Sequence, residues 1–318
     1  MAYKITQNLS GKTAVVTGTG GIGYAAALAL ARAGAFVIVA GRNPAHGTEA
    51  IQKIRNAAPD AAVHFEQLDL ADNASIDAFA DRFEKKSPSL DILLCIAGIM
   101  MPEKLSRTKE GVEMQFASNY LGHFKLTLRL LPLLNAAEGP CGDGARVVTI
   151  SSVSNLPLRF DLADATAARG FSTSISYALS KLACLMFAIE LNKRCAGNGF
   201  RTHAFSAHPG FARTQLFSYS HNPAMLFFRW TFFLLPFFGQ KPAHAAEPAL
   251  LCATSPEAVP GKYYGPLFYI MGPPRRAFIP FRARDKDKLE ALWNESERLA
   301  KISWTKQAAL ASASINPK

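Results

Sequence analysis

Apolar runs of strand length alternate with helical repeats along most of the chain. KTAVVTG (12–18) is a β-branched apolar run, and YAAALALARAG (24–34) follows with small apolar residues at helical spacing. AFVIVAG (35–41) reads as a second strand, and HGTEAIQKIRNAA (46–58) as a helix with Ile51 and Ile54 on one face. AVHFEQLDL (62–70), LDILLCIAG (90–98), ARVVTISS (145–152) and FRTHAFSAH (200–208) continue the strands. SIDAFADRFEKK (75–86) and SYALSKLACLMFAIELNKRC (176–195) continue the helices. GKYYGPLFYIMG (261–272) supplies a last strand, and the tail TKQAALASASINPK (305–318) has a composition that suggests weak order. Strands that are apolar throughout, separated by helices, predict an α/β doubly wound parallel sheet covered on both faces. No repeat or long linker divides the chain, so a single domain over 1–318 is expected, with its core at about 10–300.

Composition narrows the classes. Hydrophobic residues are 49% and charged residues 19%, enough apolar content for a large core. The net charge of +11 favours an anionic partner, such as a phosphorylated cofactor or a membrane surface. Dense Lys/Arg runs interleaved with aromatics are missing, which speaks against nucleic acid. Five cysteines without a C-x-x-C pair, and scattered histidines, suggest reduced thiols in a cytoplasmic setting and no metal site.

Four glycines lie within Gly18–Gly23, between the first strand and the first helix. Glycine there permits a tight turn and lets the backbone of Gly18, Thr19, Gly20, Gly21 and Ile22 approach a diphosphate at the helix N-terminus. After the second strand come Arg42 and Asn43 with no carboxylate to hold a ribose 2′-hydroxyl. Arg42 suits a 2′-phosphate, so NADP(H) is expected over NAD(H), against the plainer reading of a solvated arginine. Asp69 and Leu70 end the third strand, where Asp69 would face an adenine edge or cap the next helix.

Tyr177 and Lys181 are four residues apart on one helical face, an arrangement in which the ammonium lowers the phenol's pKa. Ser151 and Ser152 end the fifth strand, and Asn119 stands in FASNYLGHF on an earlier helix, placed to hold a water near Lys181. HPGFART (208–214) follows the sixth strand: Pro209 and Gly210 shape a loop, Thr214 is a candidate contact for the nicotinamide end, and His208 reads as a hydrogen-bonded structural histidine.

With these motifs in this order, the chain resembles the short-chain dehydrogenase/reductase family over about residues 10–300. The resemblance implies a Rossmann fold and hydride transfer between nicotinamide and an alcohol–carbonyl pair. It implies Tyr177 as general acid/base, Lys181 as its partner and ribose ligand, Ser152 as the carbonyl-orienting serine and Asn119 as part of a proton relay. The long Ser152–Tyr177 gap, NYLGHF, SYALSKLA and PFFGQKPAHAAEPALLCATSPE resemble the retinol-dehydrogenase-like branch, which implies lipophilic or bulky substrates.

Two departures stand out. The glycine run is one residue shorter than the family's T-G-x-x-x-G-x-G, with Gly20 flexibility the expected compensation. The family's N-N-A-G appears as Cys95-Ile96-Ala97-Gly98, which loses side-chain hydrogen bonds but keeps backbone contacts to adenosine. Cys95 itself reads as inert core.

PAMLFFRWTFFLLPFF (223–238) is broken by Arg229 and Pro236 and is shorter than the roughly 20 residues of a bilayer span. The resemblance implies a lipophilic substrate lid over about 215–245, with a homodimer contact, an ordinary buried helix and a peripheral membrane anchor as rivals. The sequence thus predicts an NADP(H)-preferring oxidoreductase of a bulky or apolar substrate. A nicotinamide-binding regulatory protein with little catalysis, and a membrane-associated retinoid- or steroid-type dehydrogenase, are the alternatives.

Overall fold

The computed structural model describes residues 3–155, 161, 171–211 and 239–315. Its eight strands are β1 (Thr13–Thr17), β2 (Phe36–Gly41), β3 (Val63–Gln67), β4 (Ile92–Cys95), β5 (Arg146–Ile150), β6 (His203–Ala207), β7 (Tyr263–Pro266) and β8 (Pro274–Arg276). They form one sheet in the order β3-β2-β1-β4-β5-β6-β7-β8. All neighbours are parallel except β7 and β8. The order reverses between β1 and β4, and in such sheets the crevice beyond the carboxyl ends at that point receives ligands.

Helices cover both faces. On one lie α1 (Gly21–Arg32), α2 (Pro44–Ala57) and, later in the chain, α8 (Pro242–Thr254). Ala26, Ala27 and Leu30 of α1 pack there with Val16, Val39 and Leu94 of the sheet, and small side chains let the helix approach closely. The other face carries α3 (Asn73–Glu84), α4 (Met114–Phe116), α5 (Gly122–Arg129), α6 (Leu131–Ala136), α7 (Thr173–Gly197), α9 (Lys286–Ala300) and α10 (Trp304–Ile315). Phe124 and Phe187 meet Trp293 of α9 edge-on or tilted, at centroid distances of 5.0 and 6.0 Å.

Three expectations change. The tail read as weakly ordered contains α10, which buries Ala308 and Ala311 against α6, so the apolar spacing in QAALA outweighs its plain composition. The last strand is half of a hairpin: β7 ends at Pro266, and residues 267–273 turn the chain into antiparallel β8. Residues 242–245, the end of the expected lid, begin α8, with Pro242 in its first turn. The phenylalanine doublets at 227–228, 232–233 and 237–238 lie outside the described residues. Helix α7 has the length and hydropathy of a bilayer span but is largely buried as a core helix.

Candidate active site

The glycine turn comes first along the chain. Gly18 has φ +99° and Gly21 φ +52°, both in the left-handed region, while Gly20 is extended at φ −130°. The shortened loop is therefore accommodated at Gly18 and Gly21, which corrects the expectation that Gly20 compensates. A side chain on Gly23 would overlap the Gly18 carbonyl, so helix α1 starts tight against the turn. Gly20, the N-cap of α1, faces open space, and so a diphosphate has room at the N-terminus of this 12-residue helix. The residues present fit a dinucleotide here.

Around this turn the other cofactor candidates divide. Thr19 covers Gly41, and Arg42 is exposed at the carboxyl end of β2. Asn43 caps α2, its Oδ1 accepting from the Ala45 N–H at 2.9 Å. Asp69 accepts from the Ala71 N–H at 2.9 Å in a local turn, and Asp72 caps α3, so the helix-cap reading of Asp69 is corrected. The Leu70 carbonyl lies against Gly122, where a side chain would overlap it.

At β4 a threonine takes over what the missing asparagines would do. Thr17 Oγ1 accepts from the Ile96 and Ala97 N–H groups at 2.9 and 3.0 Å and lies 2.9 Å from His123 Nε2. His123 Nδ1 is 2.9 Å from the Asn119 carbonyl, which only accepts, so Nδ1 carries the proton and Nε2 accepts from the Thr17 hydroxyl. Sequence reasoning missed this pair; its signal was a threonine ending β1 and a histidine one helical turn after Asn119. Cys95 is buried, burial holds its thiol protonated, and only its backbone is suited to a cofactor role.

Asn119 lies in a π-helical turn, Ala117–Leu121. Its Oδ1 accepts from the Ile99 N–H at 2.7 Å, and Nδ2 donates to the Ile99 carbonyl at 3.0 Å and to Ser180 Oγ at 2.9 Å. The side chain thus locks the loop after β4 to α7, and the expected water-holding role is not what these bonds show. Gly98 is where these groups converge. A Cβ there would stand 2.7 Å from Asn119 Oδ1 and 3.5 Å from Lys181 Nζ. Gly98→Ala should therefore break the Asn119–Ile99 pairing and cost about 1–3 kcal/mol of stability, read as a lower denaturant midpoint. An unchanged midpoint would show that the loop yields freely.

Tyr177, Lys181 and Ser152 come together as the spacing predicts. Ser151 is buried and donates from Oγ to the Lys181 carbonyl at 2.7 Å, fixing the end of β5 to α7. Ser152 is partly exposed, and its hydroxyl is close enough to the Tyr177 phenol to lower its pKa. Lys181 Nζ donates to the Ile150 carbonyl at 3.1 Å and lies 5.9 Å from the centre of the Tyr177 ring. Burial pushes the phenol up to about 12, opposed by the neighbouring Ser152 hydroxyl, and burial pushes the Lys181 ammonium down. The expected lowering of the tyrosine by its lysine is thus outweighed by desolvation.

Beyond β6, the Pro209 carbonyl accepts from Gln240 Nε2 at 3.1 Å, and Gly210 has φ +67°. Thr214 lies outside the described residues. His208 is corrected: its ring is buried between Tyr263 and Tyr269, and neither ring nitrogen has a hydrogen-bond partner among the described residues. A cleft of about 640 Å³ lined by Asp77, Lys125, Arg129 and Lys306 is formed by other parts of the chain and contains none of the candidate residues.

Comparison with known proteins shows the family and the fold. The family model for short chain dehydrogenase matches residues 12–223. Mouse retinol dehydrogenase 12 is 36% identical over 299 residues, 93% of this chain and 88% of the relative. Mouse polyprenol dehydrogenase is 35% identical over 295 residues, 91% of this chain and 84% of the relative. A crystal structure of an uncharacterised protein from Mycobacterium paratuberculosis superposes with a TM-score of 0.77 at 30% identity, covering 96% of this chain and 99% of that one. With glycine turn, Ser152, Tyr177 and Lys181 at the carboxyl ends of the strands of a doubly wound sheet, the chain belongs to the short-chain dehydrogenase/reductase family of nicotinamide-dependent oxidoreductases, in its retinol-dehydrogenase-like branch.

Proposed function

We propose that the protein is an NADP(H)-preferring carbonyl reductase or alcohol dehydrogenase acting on a bulky, apolar substrate. The observation that carries this reading is the convergence of Ser152, at the carboxyl end of β5, with Tyr177 and a buried Lys181 of α7, whose Nζ lies 5.9 Å from the Tyr177 ring. When bound, the nicotinamide supplies or accepts the hydride. Tyr177 is the general acid/base: burial keeps its phenol protonated through the neutral range, the form that donates to a carbonyl oxygen in reduction. Ser152 holds that oxygen next to the phenol. Lys181 places a positive charge near the ring and serves as a donor to the cofactor's ribose, and Asn119 fixes the loop and helix on which Gly98 and Lys181 stand. Gly18, Gly20 and Gly21 hold the diphosphate, with Ala97, Gly98 and the Asp69–Leu70 backbone along the adenosine. Retinol and polyprenol in the relatives' names support a lipophilic substrate.

Arg42 reads the 2′-phosphate in this proposal, because it is exposed beyond β2 and no carboxylate stands beside it. Arg42→Asp should weaken NADPH by about 10- to 100-fold, the worth of a charge-assisted hydrogen bond, and leave NADH nearly untouched. Titration of both cofactors reads this, and equal losses would remove Arg42 from phosphate recognition. Screening apolar aldehydes, ketones and alcohols by nicotinamide absorbance tests the activity itself. Cofactor binding without turnover on any of them would favour a regulatory nicotinamide-binding protein.

A further inference from the structure

The turn between β7 and β8 carries four consecutive apolar residues with much of their surface in solvent. Leu267 is 47% exposed, Phe268 69%, Tyr269 39% and Ile270 53%. Single exposed apolar residues are ordinary, but a contiguous group marks a contact surface. The backbone beneath them is held. Leu267 N–H donates to the Pro273 carbonyl at 2.9 Å, Phe268 N–H to Met271 at 3.2 Å and Tyr269 N–H to Pro266 at 2.9 Å. Tyr269 sits at φ +59°, an unfavourable conformation for a bulky residue, and its ring is stacked on His208 at 5.9 Å.

Charge surrounds the tip without entering it. No ionisable side chain other than the Tyr269 phenol occurs from Tyr269 to Pro274 or at Gly265–Phe268, and exposed Arg275 and Arg276 follow directly. Arg275 pairs with Gly265 and Arg276 with Tyr264, one and two positions behind the Pro266–Pro274 pair that closes the tip. At about 3.4 Å per residue, this sets the guanidinium-bearing positions roughly 3–7 Å behind the tip's base. That spacing matches the step between acyl chains and headgroups at a bilayer surface.

We propose that the β7–β8 tip docks on an anionic lipid bilayer, with Leu267, Phe268 and Ile270 among the acyl chains and Arg275 and Arg276 against the headgroup phosphates. Charge decides for a lipid surface over a second copy of the chain. Two tips meeting face to face would bring their arginines together on chains that each carry +11, whereas an anionic leaflet attracts them. The inference deepens the reading of an apolar substrate, since the tip borders the candidate site. The Ile270 carbonyl accepts from the Phe211 N–H at 2.9 Å and from Gln240 Nε2 at 2.9 Å, in the loop that follows β6. A lipid-soluble substrate would reach that loop from the bilayer without crossing water.

The full chain, mixed with phosphatidylcholine vesicles with and without phosphatidylserine, should float with the phosphatidylserine vesicles and much less with phosphatidylcholine alone. Leu267→Ser/Phe268→Ser should weaken that partitioning by about tenfold or more. Arg275→Glu/Arg276→Glu should weaken it by about tenfold or more and abolish its salt sensitivity. Unchanged circular dichroism melts would show that both double variants stay folded. Tyr177→Phe should float like the unaltered protein, so a failure of the catalytic reading and a failure of docking are told apart. The proposal is overturned if the protein does not bind phosphatidylserine vesicles, or if both hairpin variants float undiminished, which would put the contact elsewhere in the chain. It is equally overturned if the serine variant abolishes a dimer seen by sedimentation and leaves vesicle binding intact.

Discussion

Tyr177→Phe loses about 10²- to 10⁴-fold in turnover with a carbonyl substrate and keeps its affinity for NADPH. The substitution removes one oxygen from a side chain that is 8% exposed and leaves the ring in place, 5.9 Å from Lys181 Nζ. What disappears is the phenol hydroxyl, the proton donor beside Ser152. Because that donor acts in the transition state and not in holding substrate, kcat and kcat/KM should fall together, with KM little changed. Cofactor affinity, followed by quenching of protein fluorescence, reports whether the fold around the site persists. Turnover within about tenfold of the unaltered protein would be below the range that acid–base catalysis supplies and would remove Tyr177 from the chemistry.

This effect could be anticipated because helical spacing alone brings Tyr177 and Lys181 onto one face, and strand-end position brings Ser152 beside them. Those are local rules acting on local residues. The sheet was legible for the same reason: apolar strands such as VVT and ILLC have few other ways to be buried. What the sequence hid were contacts between elements. Thr17 and His123 are more than a hundred residues apart, and only the β1–β4 pairing with α5 alongside turns them into a hydrogen-bonded pair. The desolvation that raises Tyr177 depends on how deeply α7 sinks into its layer, which periodicity does not report. The β8 edge was missed because a three-residue strand containing proline, PRR, has no alternation to read. The tail was misread because alanine-rich composition is neutral until α6 provides a surface for it.

Acid should destabilise this protein steeply, well before its carboxylates titrate, because two histidines are buried in neutral form. Burial holds His123 at about 4 instead of 6.5, with its Asn119 carbonyl contact opposing and the nearby Lys181 ammonium assisting. Burial holds His208 at about 4 as well, between two tyrosines and with Gly265 too close for any side chain. Both folded values are depressed, so the unfolded chain binds more protons than the folded one between the two values. The stabilising contribution is whole above the unfolded value and is lost as pH falls toward the folded one. Between about pH 7 and about pH 5 each histidine should remove roughly 2 kcal/mol, a large share of a typical total. Glu113 works the other way: burial raises its carboxyl above 4.5, so its contribution grows as pH falls toward 4.5. His208→Leu isolates one contribution: leucine takes up no proton when unfolded and leaves no unpaired ring nitrogen in the core. Urea unfolding at the two pH values should show the variant losing roughly 2 kcal/mol less than the unaltered protein. Identical losses would mean that His208 is charged in the folded state, which would require a partner for its ring nitrogens.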